Sequence, residues 1–333
     1  MSAVPSQRTG LIEATAPPES RGLQRDEIRL LVTDRAARSH KHAAFREFAD
    51  FLRSGDLLVV NDSATVPAAI PAQRSNGSPI DLHVSTKIDQ RIWIAEPRGT
   101  VVCGEELRLP NGGSAVTIAP IDPEQPRLWY TWFQLPQPMF EYLATVGAPI
   151  RYSYVKQRFP LSDYQTIFAR EAGSSEMPSA GRPFSPRVLG TLHSKGVEIA
   201  PITLHCGVAS FEAPERPGME RFMVSSSTAA CVNATRMHGG RVIAIGTTAL
   251  RALESAIDGD DVIAASGWTD LVIDEVHRVR AADGMLTGFH DGNATHIWIL
   301  RAFLDRELLD AAYDEAASEQ YRYHEFGDVH LIL

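Results

Sequence analysis

The chain of 333 residues is 44% hydrophobic and 22% charged, a balance that excludes a disordered or fibrous protein and leaves room for a large core plus a second domain. Its 32 basic and 41 acidic residues give a formal net charge of −9, which excludes broad, sequence-independent nucleic-acid binding and confines any RNA contact to arginines gathered on one face. No apolar run is long enough for a membrane span, the start of the chain lacks a signal-peptide core, and Cys103, Cys206 and Cys231 show no metal-ligand spacing; a cytoplasmic protein with no metal and no membrane contact is expected.

The first 25 or so residues, rich in Pro, Ser and Glu, are expected to extend over the surface. Residues 28–32 (IRLLV) form the first candidate strand. His40 and His42 read as part of a solvated loop, and Phe45, Phe48, Phe51 and Leu52 mark a short amphipathic helix. Gly55-Asp56 then turns into a fully apolar strand over 57–60 that ends at Asn61-Asp62. From 65 to 150 the period changes to two. Ile80, Leu82 and Val84 alternate with polar residues, as do Ile92 and Ile94, Leu107 and Leu109, Val116 and Ile118, and an aromatic run follows over 128–133. Short alternating strands between Gly, Pro and Asn turns predict a small antiparallel barrel, closed by a helix over 139–146.

After 150 an α/β rhythm resumes. Ser185-Pro186 opens a helix and Lys195-Gly196 closes it; strand is expected over 197–200 and 202–204, and a helix over 227–237 stops at Gly239-Gly240. Val242 to Ile245 is a continuous apolar run, read as a strand buried on both faces. Gly246-Thr247-Thr248 breaks it before a helix over 249–257. Strand is then expected at 271–273, helices at 295–303 and 305–320, and a terminal strand at 329–333. The fold class that follows is α/β: a mixed sheet with flanking helices, interrupted by an inserted small antiparallel β-barrel domain. The main domain takes residues 1–64 and 151–333 and the insert takes 65–150.

Chemistry is expected where open α/β sheets place it, in the loops after strands. The Gly246-Thr247-Thr248 turn exposes backbone N–H groups and two hydroxyls at a helix start, suited to an anionic or strongly polar group, or the threonines simply cap the helix. Asn61 and Asp62 either bond a ligand hydroxyl or make an Asx turn. Pro178, Ser179, Ala180 and Gly181 allow a flat ligand close to the backbone, with Phe184 either stacking on it or going to the core. His205 and His290 stand at loop starts and can accept protons near neutral pH. Arg322 can hold a phosphate or carboxylate.

These segments, taken in order, carry a resemblance: RLLVTDR, GDLLVVND, YQTIFAR, PSAGRPFS, TLHCGVASF, GGRVIAIGTTALRALES, TDLVI, TGFH and YRYHEFGDVHLI. The chain resembles the S-adenosylmethionine:tRNA ribosyltransferase-isomerase family of queuosine biosynthesis over nearly its whole length from about residue 25. The resemblance implies an α/β domain interrupted by a barrel-like insert. It also implies transfer of the ribosyl part of S-adenosylmethionine to a 7-aminomethyl-7-deazaguanine base in tRNA, with release of adenine and methionine and no metal. His205 and His290 are then the proton-transfer candidates, and Gly246, Thr247 and Thr248 hold polar ligand groups. Arg251 and Arg322 hold a carboxylate or phosphate. Asn61, Asp62, Pro178, Ser179, Ala180, Gly181, Phe184, Gly207, Phe211, Glu254 and Asp328 complete the expected binding set.

The chain departs from the family pattern in four loops. PTAGLHF is here PSAGRPF, so a histidine is replaced and Arg182-Pro183 gained; HVGAGTF is HCGVASF; the histidine-rich segment that follows is replaced by residues 220–226; and TNFHLPKSTL is TGFHDGNATH. A paralogue with another, small-molecule acceptor and a catalytically silent nucleoside- or RNA-binding protein are the alternatives these departures leave.

Overall fold

The computed structural model describes residues 10–208, 218–290 and 294–333. Among them, nine strands form one mixed sheet in the order Ala265–Thr269, Glu220–Val224, Glu198–Leu204, Leu57–Asn61, Val242–Ile245, Gly284–Gly288, Val329–Ile332, Arg29–Asp34 and Ser39–Ala44. The four middle strands from Glu198–Leu204 to Gly284–Gly288 run parallel. Every residue of Leu57–Asn61 and Val242–Ile245 is buried, as their unbroken apolar runs require of strands covered on both faces.

The pleat sorts these side chains into two cores. Leu57, Val59, Val242 and Ala244 pack under helices Ser226–Met237, Thr247–Glu254 and Arg306–Ser318. Leu58, Val60, Ile243 and Ile245 face helix Pro186–Lys195 and the 3₁₀ segment Phe45–Phe51. Helix Pro186–Lys195 starts and stops as the sequence directs: Ser185 Oγ accepts from Val188 N at 3.2 Å, and Gly196 closes it at φ 77°.

A closed, six-stranded antiparallel barrel runs Ser114–Pro120, Trp129–Gln134, Ile92–Pro97, Pro79–Lys87, Ala69–Arg74 and Glu106–Arg108. Helix Met139–Val146 covers it. The barrel meets the sheet at one seam. Val208 N donates to Ser85 Oγ at 2.8 Å, Ser175 Oγ donates to Ser85 O at 3.1 Å, and a Cβ on Gly207 would stand only 2.9 Å from Ser85 Oγ.

Several elements differ from the sequence reading. The His40–His42 stretch is not loop but edge strand Ser39–Ala44, paired antiparallel with Arg29–Asp34. The expected strand at 271–273 is irregular chain; the strand is Ala265–Thr269, two to six residues earlier. Strand Gly284–Gly288 went unread because two of its five residues are glycine. The helix expected from 295 to 303 is His296–Arg301.

The terminal strand carries an acid-sensitive group. His330 is fully buried, its Nε2 2.7 Å from Thr33 Oγ1, and burial followed by the nearby His40 lowers its pKa to about 3. Burial likewise brings His296 down to about 4. A histidine kept neutral by the fold stabilises above its unfolded pKa near 6.5, and that contribution is lost as pH falls from there toward the folded value. Folding stability should therefore drop by a few kcal/mol between about pH 6.5 and 4. Urea midpoints measured at intervals across that window check this, and His330→Gln should flatten the slope. An unchanged slope in that variant would sink the assignment.

Candidate functional site

Because the four middle strands are parallel, their carboxyl ends share one edge of the sheet. There the chain delivers, side by side, His205, Asn61-Asp62, Gly246 and Phe289-His290. His205 and His290 follow the outer two strands, so three strand spacings, roughly 14 Å, separate them across the edge. They cannot act on one proton together.

At the first end Asn61 is a tie. Its Nδ2 donates to Leu204 O at 2.8 Å and to Thr248 Oγ1 at 3.1 Å, while Oδ1 accepts from Leu204 N and Ser63 N. It is 3% exposed, and all four hydrogen-bonding positions are taken by protein, which joins three loops into one rigid corner. Ser63, two residues on, lies 2.8 Å from His205 Nδ1 and 2.6 Å from Ser174 Oγ, and Ser174 Oγ accepts from Cys206 N. The ring lies so close to Gly173 that a Cβ there would come within 2.4 Å of Nδ1. His205 Nε2 has no protein partner among the described residues. Burial, then Arg221, lowers the His205 pKa against the opposing pull of Asp62 and Glu171, so the ring is a neutral acceptor at pH 7. Asp62 accepts from Thr203 Oγ1 at 2.7 Å; burial, with Glu171 adding to it, lifts its carboxyl above the ordinary aspartate value.

In the middle, the threonines do not cap the helix. Gly246 does, at φ 94°, without a side-chain bond, and Thr247 and Thr248 are the first residues of helix Thr247–Glu254. The N–H groups of Thr247, Thr248 and Ala249 take no protein acceptor among the described residues, leaving a donor cluster at the sheet edge. Pro178, Ser179, Ala180 and Gly181 form a turn over it: a Cβ on Gly246 would stand 3.3 Å from Ala180 Cβ. Gly246→Ala combines that approach with a left-handed φ and should cost about 1–3 kcal/mol and reposition the donor cluster. Its kcat/KM should fall further than its urea midpoint explains; a loss accounted for by the unfolded fraction alone would count against a ligand at this turn.

At the far end His290 Nε2 sits 3.0 Å from Thr287 Oγ1, and its ring stacks on His296 with centroids 4.2 Å apart. Burial and the neighbouring His296 and His324 push its pKa well below the usual histidine value.

Other expected ligand contacts turn inward. Phe184 does not stack on a ligand; its ring is fully buried among Phe45, Phe48 and Phe168. Arg251 spends its guanidinium on Leu271 O (2.8 Å), Glu220 (2.5 Å), Gly218 O and Thr269 O, and Glu220 in turn accepts from Gly207 N at 2.9 Å. Arg251 thus reaches the site only through Gly207, behind His205. Glu254, roughly 10 Å down the helix from the turn, accepts from Arg280 N and Ala281 N and pairs with His277. Asp328 accepts from the Arg29 and Arg322 backbone N–H groups and from the Arg29 guanidinium. The Arg322 guanidinium lies near that of Arg21, whose buried Nε has no partner among the described residues. Arg182, gained against the family pattern, is 3% exposed and anchors the N-terminal segment through Glu19 at 2.9 Å. Phe211 lies outside the described residues.

Sequence reasoning missed Ser63, Ser174 and Glu220. Ser63 had a signal, two residues beyond Asn61 at the same strand end; Ser174 and Glu220 reach the site only through the fold. Among the described residues no three His, Cys, Asp or Glu side chains group as a metal site needs, and no helix is long and apolar enough to cross a membrane.

A mixed α/β sheet with polar groups gathered at the parallel strands' carboxyl edge, carrying a closed antiparallel barrel, defines an α/β protein whose candidate site lies at that edge. The chain belongs to the queuosine biosynthesis protein family, whose description matches residues 10–332. It is 35% identical to the S-adenosylmethionine:tRNA ribosyltransferase-isomerase of Moorella thermoacetica, over 93% of this chain and 94% of that one. It is 32% identical to the enzyme of the same name from Trichlorobacter lovleyi, again over 93% and 94%. The crystal structure of the S-adenosylmethionine tRNA ribosyltransferase from Thermotoga maritima is similar at a TM-score of 0.53 and 28% identity, over 93% of each chain.

Proposed function

We propose that this protein transfers and isomerises the ribosyl moiety of S-adenosylmethionine onto a 7-aminomethyl-7-deazaguanine base in tRNA, giving epoxyqueuosine and releasing adenine and methionine. The observation that carries the reading is the neutral, serine-oriented His205 at the sheet edge of a chain whose relatives match it end to end. The reaction needs a base for the proton on C5′ beside the sulfonium, and His205 Nε2, unprotonated in the neutral ring, suits that work. The free N–H groups at Thr247 and Thr248, with Asp62, suit ribose hydroxyls and anionic groups. His290, across the edge, suits the departing adenine. Arg322 with Arg21 suits a carboxylate or phosphate. No metal is required in this scheme, the expected location is the cytoplasm, and residues 65–150 act as an inserted unit against a main domain of 1–64 and 151–333. Neither a small-molecule acceptor nor a silent binding role gains support from the relatives named above.

The test is incubation with S-adenosylmethionine and tRNA carrying the deazaguanine precursor. Free adenine should appear together with a matching gain in RNA mass, and RNA affinity should fall steeply as salt rises. Adenine release without RNA gain would transfer the reading to another acceptor.

A further inference from the structure

Beside the His290 end lies a group of side chains given no role above. Tyr152, Tyr154 and His324 stack in series, with centroids 5.6 and 4.1 Å apart. Glu176 lies beside Tyr152 and close enough to Glu325 for the two carboxyls to repel. Glu325 Oε1 is buried and has no hydrogen-bond partner among the described residues. Burial first, then Glu176, lifts the Glu325 pKa to about 8, with Arg182 opposing. Arg182 offers little relief, because it is committed to Glu19 and Asp163 O and lies over the Phe326 ring. Glu325 and His324 line a small cleft with Arg25, Ser179, Arg182 and Gly288, the last of these ending a strand at the sheet edge.

The chemistry of this group narrows its ligand. The two arginines that line the cleft are both paired with Glu19, so the carboxyls at Glu325 and Glu176 disfavour an anion there. A sulfonium has no N–H to give that oxygen, and among the described residues no third ligand side chain converges for a metal. A primary ammonium brings a positive charge and three donors to a place rich in acceptors.

We propose that Glu176 and Glu325 form the receptor for a primary ammonium of the substrates, either the α-ammonium of S-adenosylmethionine or the aminomethyl group of the deazaguanine base. This rests on the ribosyl-transfer reading. Calorimetry on wild type, Glu325→Gln and Glu176→Gln separates the sources, using S-adenosylmethionine, S-adenosylhomocysteine, 5′-methylthioadenosine, and tRNA with aminomethyl-deazaguanine or guanine. If the α-ammonium is held, both variants weaken the first two ligands roughly tenfold or more and leave methylthioadenosine, which lacks the amino acid, unchanged. If the base is held, only the preference for aminomethyl over guanine tRNA disappears. Unchanged methylthioadenosine affinity reports an intact pocket, and the second carboxyl provides an independent variant should one fold poorly. Variants within twofold of wild type on every ligand overturn the proposal while the function stands, as does weakening confined to the sulfonium compound. Wild type binding neither S-adenosylmethionine nor tRNA overturns the ribosyl-transfer reading and this proposal with it.

Discussion

Arg251→Leu should destabilise the protein by about 3–5 kcal/mol, the cost of leaving a buried ion partner uncompensated. The guanidinium is 5% exposed and donates to one carboxylate and three backbone carbonyls, those of Leu271, Gly218 and Thr269. Leucine fills part of the volume but takes a donor from three carbonyls and leaves Glu220 only its bond from Gly207 N. Burial already raises the Glu220 pKa with Arg251 present to oppose it, so the variant will protonate Glu220 and recover only part of the loss. Arg251→Lys should recover little, since one ammonium cannot reproduce a planar fork that reaches four oxygens. Against an ordinary total of 5–15 kcal/mol, the leucine variant would be marginally folded at 25 °C. Urea unfolding checks the stability. S-adenosylmethionine affinity per folded molecule checks the role: a residue that held the substrate carboxylate would lose affinity in Arg251→Lys well beyond its loss of folded protein.

Arg251 also shows what the sequence could and could not convey. An arginine one turn into a helix after a glycine-threonine turn looks like a ligand contact, because the residues that absorb it, at 218, 220, 269 and 271, are near in space and distant in the chain. The middle of the sheet was legible for the opposite reason. Residues 57–60 and 242–245 are apolar without interruption, and only burial on both faces accommodates that. Barrel strands were legible by alternation, because one face packs inward and the other meets solvent. Edge strand Ser39–Ala44 was not, since its polar SHKH run has no apolar face to show. Leu271-Val272-Ile273 has the composition of a strand, yet a backbone carbonyl from it serves Arg251 and no sheet partner takes it up. At the site, the turn and both histidines were legible because glycine, threonine and histidine are unusual after apolar strands. Ser174 was not, because a serine 111 residues from Ser63 becomes its neighbour only when the barrel closes the intervening loop.

His205→Gln should lower kcat by 10²–10⁴, the range for losing a positioned proton acceptor, with little change in folding. Glutamine keeps a polar group near Ser63 and the space beside Gly173, so the 2.8 Å contact at Nδ1 can be replaced while the basic Nε2 cannot. The pH profile gives an independent reading. Burial, then the positive charge of Arg221, disfavours imidazolium at this position, so the base form persists below the ordinary histidine value. In wild type the acidic limb of kcat/KM for adenine release should therefore lie below pH 6.5, with rate falling as pH drops through it. Ser63→Ala removes the group that orients Nδ1 while leaving Nε2 in place, and should lower kcat much less than His205→Gln does. If His205→Gln keeps its rate within threefold, the proton goes elsewhere. His290→Gln would then be the variant to lose adenine release, and the working end of the site would move three strands along the sheet edge.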